Sequence, residues 1–288
     1  MSGWPLEAQS TIVAALGGAL LALTVGCGRA APNPVTQTDD HDGVAAPTPA
    51  ASKDYRDDLA ALARRYGIQA IFDRPTFPVA TRHGVIRGRA ATASELEAYA
   101  GLFTQEFGRY PPELVRRARL ASVVLCAALS FEKQPRNAIP DAEHHALYLE
   151  VSRGMWSPDY MRRALHHDFF HLVDYRDDGL VTVDSGWERL NAPGVPYGDG
   201  GTNAQVSDQE GVLTDRWPGF LDHYATTGVD EDKAEVFSVL MCDPDYVARR
   251  CESDAVLKSK VERMKALMAH FCPEAPGLFW ASAGPATR

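Results

Sequence analysis

The segment LHHDFFHLVDY, from Leu165 to Tyr175, constrains this chain more than any other stretch. With Met161 before it, the apolar residues Leu165, Phe169 and Leu172 recur at helical spacing and form one apolar stripe. Ser157, Pro158 and Asp159 supply the start of the helix: an N-cap residue, a proline at the first helical position and an acid near the positive end of the helix dipole. On this helix His167 and His171 stand four residues apart, with Asp168 beside the first. Residues at that spacing lie one turn apart on one face, so both imidazoles can aim at a single point.

Two imidazoles so placed can hold one metal ion, in the arrangement of a His-Glu-x-x-His zinc helix with Asp168 in the place of the Glu. A hydrolytic zinc centre needs a third protein ligand and an open position for water. The best source of a third ligand is DEDKAEVF, residues Asp230 to Phe237. There Glu231 and Glu235 are again four apart, and both can face the histidine helix. One could bind the metal while the other accepts a hydrogen bond from a ligand imidazole, and spacing leaves that assignment open. His166 is turned about 100° from its neighbour and is expected to pack or bond elsewhere.

The remaining pattern alternates between helices and strands before the histidine helix and is largely helical after it. Asp54 to Tyr66 reads as a helix closed by Gly67, and Thr92 with Glu95 forms a capping box for a helix through Phe107. Ile68 to Phe72, Arg82 to Arg89, Ser122 to Ala128 and Ala146 to Val151 read as strands. Residues 176–218 are loop-rich, and helices are expected over Glu231 to Met241 and Ser253 to Phe271. This order points to an α+β architecture.

The N-terminal part has a different character. Residues 11–25 are apolar or small, about the length of a signal-peptide core. They lead into Thr24-Val25-Gly26-Cys27, which resembles a bacterial lipobox, so residues 1–27 are expected to be a signal segment with Cys27 as the lipidated residue. Residues 28–53 are rich in proline, alanine and small polar side chains, and are expected to be a disordered tether. The folded domain is then residues 54–288, anchored by lipid to the periplasmic or outer face of a bacterial envelope. Of the other cysteines, Cys126, Cys242, Cys251 and Cys272, the pair Cys242 and Cys251 is the most natural local disulfide in an exported chain.

The net charge of −9 and pI near 5.5 argue against a nucleic-acid partner, because phosphate-binding surfaces concentrate Lys and Arg. A GxSxG nucleophile motif is absent, and the glycines at Gly198, Gly200 and Gly201 lack the strand-to-helix setting of a phosphate loop.

The segments LHHDFFHLVD and HYATTGVDEDKAEVF together resemble zinc-binding metallopeptidases related to the catalytic domain of anthrax toxin lethal factor, a gluzincin-like group. In that pattern a Tyr precedes the ligand Glu by seven residues and a second Glu follows it by four, which here are Tyr224, Glu231 and Glu235. The resemblance implies a zincin-like fold, a small mixed sheet packed on the active-site helix and followed by a mainly helical half. It implies one zinc ion per chain, with His167, His171 and Glu231 as ligands, Asp168 in the base position and Tyr224 near the scissile carbonyl. Glu235 and Asp174 would support the ligands from behind. A peptide or protein would be the substrate. The family has Glu where this chain has Asp168, shorter in reach by roughly 1.5 Å, and general-base geometry tolerates little misplacement. The other expectation is therefore a catalytically silent metal-binding domain that holds a peptide or envelope partner.

Overall fold

Capping chemistry sets the first described elements of the chain, whose computed structural model describes residues 54–152, 157–179, 181–198 and 211–274. The expected signal segment, Cys27, the tether 28–53, Gly200 and Gly201 lie outside the described residues. Asp54 accepts from Arg56 N to open α1 (Tyr55–Tyr66), and Gly67, at φ 67°, closes it. Thr92 and Glu95 make both bonds of the capping box at the head of α2 (Ala93–Phe107). A short helix the periodicity does not announce, α3 (Pro112–Arg117), follows and leads into the central strand.

Among the described residues seven strands form one mixed sheet: β1 (Gln69–Ile71), β2 (Val79–Thr81), β3 (Gly84–Ala90), β4 (Ser122–Phe131), β5 (Gln134–Pro135), β6 (Ala138–Asp141) and β7 (Ala146–Glu150). The main path runs β2-β3-β4-β7-β6, with β1 and β5 also paired to β4. Strands β1 and β7 run parallel to β4, whereas β3 and β5 run antiparallel to it. Alternation along β4 sends Val123 and Leu125 into the main core and Val124 and Cys126 into a smaller core on the other face with Ile86, Ile139 and Tyr148. All five residues of β7 are buried, as expected of a strand covered on both sides.

Beyond β7 the described elements are helical: α4 (Pro158–Asp177), α5 (Ser185–Glu188), α6 (Val229–Cys242), α7 (Pro244–Ser253) and α8 (Ala255–Phe271), with a 3₁₀ turn at Tyr224–Thr226. Eight helices and a mixed sheet are thus present among the described residues. The helix expected from Ser253 is in fact preceded by another, because Asp243 accepts from Tyr246 N and Pro244 starts α7. Ser157 occupies the cap position of α4 but makes no side-chain cap bond.

Helix α4 runs through the main core. Every residue from Ala164 to Asp174 is buried, so the polar face that carries the histidines is covered as fully as the apolar stripe. Phe169 stacks on Tyr110 with ring centroids 4.3 Å apart, and Phe170 meets Phe237 of α6 at 5.0 Å. The four described cysteines are free thiols, which corrects the expected pairing of Cys242 with Cys251. Cys242 ends α6 in a buried position and Cys251 rides on the far part of α7, so a rigid helix separates them.

Candidate metal centre

Helices α4 and α6 bring three ligand-type atoms to one point. His167 Nε2 lies 3.0 Å from His171 Nε2 and 2.9 Å from Glu231 Oε2, and His171 Nε2 lies 3.4 Å from that same oxygen. A tetrahedral zinc ion with bonds near 2.0 Å has ligand-to-ligand edges of roughly 3.3 Å. The triangle of two imidazole nitrogens and a carboxylate oxygen therefore has the size and donor chemistry of one face of such a tetrahedron. It is the cluster of metal-ligand type found among the described residues.

Local structure explains each placement. The i, i+4 spacing puts both imidazoles on one face of α4, with rings 4.7 Å apart. Glu231 sits in the acidic first turn of α6, where the helix dipole favours a carboxylate. Burial pushes its pKa up, but the two histidines outweigh that and hold it down at about 2. Burial likewise disfavours the charged form of His167, yet Glu231 and Glu235 hold its pKa well above the ordinary value, and Glu231 raises that of His171. In the metal-free chain protons thus neutralise a cluster that a divalent cation would neutralise when bound.

Glu235 lies one turn beyond Glu231, with Oε1 2.9 Å from His167 Nδ1, although the contact is not aligned as a hydrogen bond. Asp168 is buried with Oδ2 lacking a hydrogen-bond partner, and burial raises its pKa to about 6. Tyr224 is fully buried, its ring centroid 5.8 Å from that of His167 and its hydroxyl under the influence of the Glu231 carboxylate. Burial and that carboxylate raise its pKa well above normal, so it stays a hydrogen-bond donor. A small cleft borders the cluster, lined by Tyr160, Arg163, His167, Tyr224 and Glu235 among others.

Asp174 lies on α4 where it meets α6. Its Oδ1 accepts from Lys233 Nζ at 2.7 Å rather than from a ligand imidazole. His166, fully buried, is turned away from the triangle. Tyr110 Oη lies 2.5 Å from its Nδ1, and Glu106 Oε2 lies 3.1 Å from its Nε2. Glu106 in turn binds Arg109 at 2.5 Å and Arg162 at 2.7 Å. Sequence reading did not single out Glu106, whose only local signal is an acid on the buried face of a capped helix.

No family model matches this chain, and no curated protein resembles it in sequence. Among solved structures the chain is similar to a proposed zinc-binding metallo-peptidase from Bacteroides caccae, with 14% sequence identity and a TM-score of 0.48 over 81% of this chain and 93% of that one.

Proposed function

We propose that the chain is a zinc-dependent metallopeptidase with a zincin-like catalytic domain. The observation that carries this reading is the convergence of His167 Nε2, His171 Nε2 and Glu231 Oε2 within 2.9 to 3.4 Å of one another. Bound there, zinc would supply a water of lowered pKa and polarise a substrate carbonyl. Asp168, with a free buried oxygen and a pKa near 6, is suited to take up a proton close to neutrality and return it to a leaving amine. Tyr224 retains its proton and can donate to a developing oxyanion. Glu235 orients the His167 ring from its far nitrogen. We further read residues 1–27 as a lipoprotein signal ending at Cys27, which would tether this domain to the bacterial envelope and offer it peptide or protein substrates there.

Asp168 also supports a second reading, a metal-binding domain that holds a peptide without cleaving it, because the shorter side chain must reach the same water as a Glu would. Elemental mass spectrometry of the purified chain beside His167→Ala/His171→Ala tests the metal centre. About one zinc per chain, lost in the variant, supports it, and none after zinc is supplied ends it. Peptide-library cleavage by the natural chain and by Asp168→Glu then separates the two readings. Cleavage by the natural chain, abolished by Asp168→Ala, favours the enzyme. Cleavage that arises only in Asp168→Glu favours the binding domain.

A further inference from the structure

Glu231, Asp232 and Lys233 are consecutive on α6 and point about 100° apart, yet all three are buried. Glu231 meets the histidines. Asp232 faces the other way: its Oδ2 lies 2.7 Å from Lys260 Nζ and accepts from Trp187 Nε1 at 2.7 Å and Tyr197 Oη at 2.6 Å. Lys233 faces α4, where Nζ donates to Asp174 Oδ1 at 2.7 Å and lies 3.7 Å from Asp184 Oδ2. Asp184 is itself fixed, since its Oδ1 accepts from Gly186 N and Trp187 N at the head of α5. The side chains of Lys233 and Asp174 are each only 1% exposed.

A pair this deep contributes little to stability, because desolvation offsets the attraction and apolar side chains of similar volume often serve as well. What an apolar contact lacks is direction. A turn of α6 by about 20° would move a group at its rim, about 5–6 Å from the axis, by roughly 2 Å. That displacement is far outside the roughly 0.2 Å within which metal ligands must lie. Asp174 is three residues beyond His171, and Lys233 two beyond Glu231, so each member of the ion pair lies within about one turn of a ligand on its own helix. At the other end of α6, Arg109 joins the backbone oxygen of Met241 to Glu106 and thereby to His166. Both ends of the α4–α6 contact are thus held by polar bonds of defined length.

We propose that the buried Lys233–Asp174 pair, braced by Asp184, is a positioning device that sets the rotation of α6 against α4 so that Glu231 completes the ligand triangle. The inference rests on the metal-centre reading. It makes both residues positioning groups for metal binding with no contact to substrate.

The test uses the full chain, the double variant Lys233→Met/Asp174→Leu, and Asp174→Leu alone. Each is measured for zinc affinity by competition with a chromophoric chelator and for the visible spectrum of its cobalt(II) form, with circular dichroism of the metal-free protein as the folding control. The double variant is expected to keep its fold, to bind zinc about 10-fold more weakly, and to show altered cobalt bands. A folded double variant with the natural affinity and spectrum overturns the proposal. If the double variant does not fold, Asp174→Leu decides alone, because Lys233 can turn to Asp184. Weakened zinc binding with a shifted cobalt spectrum supports the device, and unchanged values overturn it. A natural chain that takes up no zinc overturns the metal-centre reading and this inference with it, whereas variants that bind as the natural chain does overturn the inference alone.

Discussion

His167 is held between two carboxylates: Glu231 Oε2 stands 2.9 Å from its Nε2 and Glu235 Oε1 stands 2.9 Å from its Nδ1. One carboxylate stands on the side of the ring that the proposed metal would face, and the other stands behind the ring. A negative group at Nδ1 makes the opposite nitrogen a better donor to a cation.

Glu235→Gln should therefore weaken zinc binding by about 10-fold while leaving all three ligands in place. Chelator competition reads this directly. An affinity equal to that of the natural chain would remove Glu235 from any role at the centre.

The Glu106 network predicts a pH dependence of stability. Burial would raise the pKa of Glu106, but His166 and Arg162 outweigh it and hold the carboxyl at about 2, below its ordinary 4.5. A carboxyl that binds its proton more weakly when folded adds stability above the unfolded pKa, and that stability is lost as pH falls through the folded one. Unfolding free energy of the metal-free natural chain should decline between about pH 4.5 and 2 more steeply than that of Glu106→Gln. The variant should also be less stable at pH 7 by about 3 kcal/mol, because Arg109 and Arg162 lose a buried anion. Parallel pH profiles for the two proteins would contradict this account.

Trp187→Phe keeps an aromatic ring in the core but removes the Nε1–H that Asp232 accepts at 2.7 Å. A hydrogen bond to a buried charged group contributes about 1.5–3 kcal/mol, so urea unfolding should show a loss of that order. An unchanged midpoint would mean that Lys260 and Tyr197 satisfy Asp232 without help.

Gly219 has φ 85°, and a Cβ there would collide with the Val256 side chain. Its N–H donates to Asp254 Oδ2 at 2.7 Å and its carbonyl accepts from Lys260 at 2.8 Å, so the turn cannot relax without breaking both bonds. Gly219→Ala should cost at least the 1–2 kcal/mol typical of a left-handed L-residue, about enough to lower the thermal midpoint by several degrees. A midpoint unchanged within error would show that the loop has another conformation of equal energy.

The sequence by itself determined the features that depend on neighbours along the chain. The α4 pattern placed His167 and His171 on one face, the Thr92–Glu95 box and Gly67 marked helix ends, and Glu231 with Glu235 shared a face of α6. Those are consequences of helical period and of capping, which act over three or four residues. Short elements such as β2, β5, β6 and α3 escaped because runs of two to six residues carry too little periodicity to stand out. Only the tertiary structure decided what lies opposite each face. It brought Glu231 to the imidazoles across 64 residues, gave Asp174 to Lys233 across 59, and turned His166 toward Glu106 across 60. Periodicity says which side chains share a face, but their partners are chosen by how buried helices pack, and a charge removed from water must find its counter-charge wherever that packing places one.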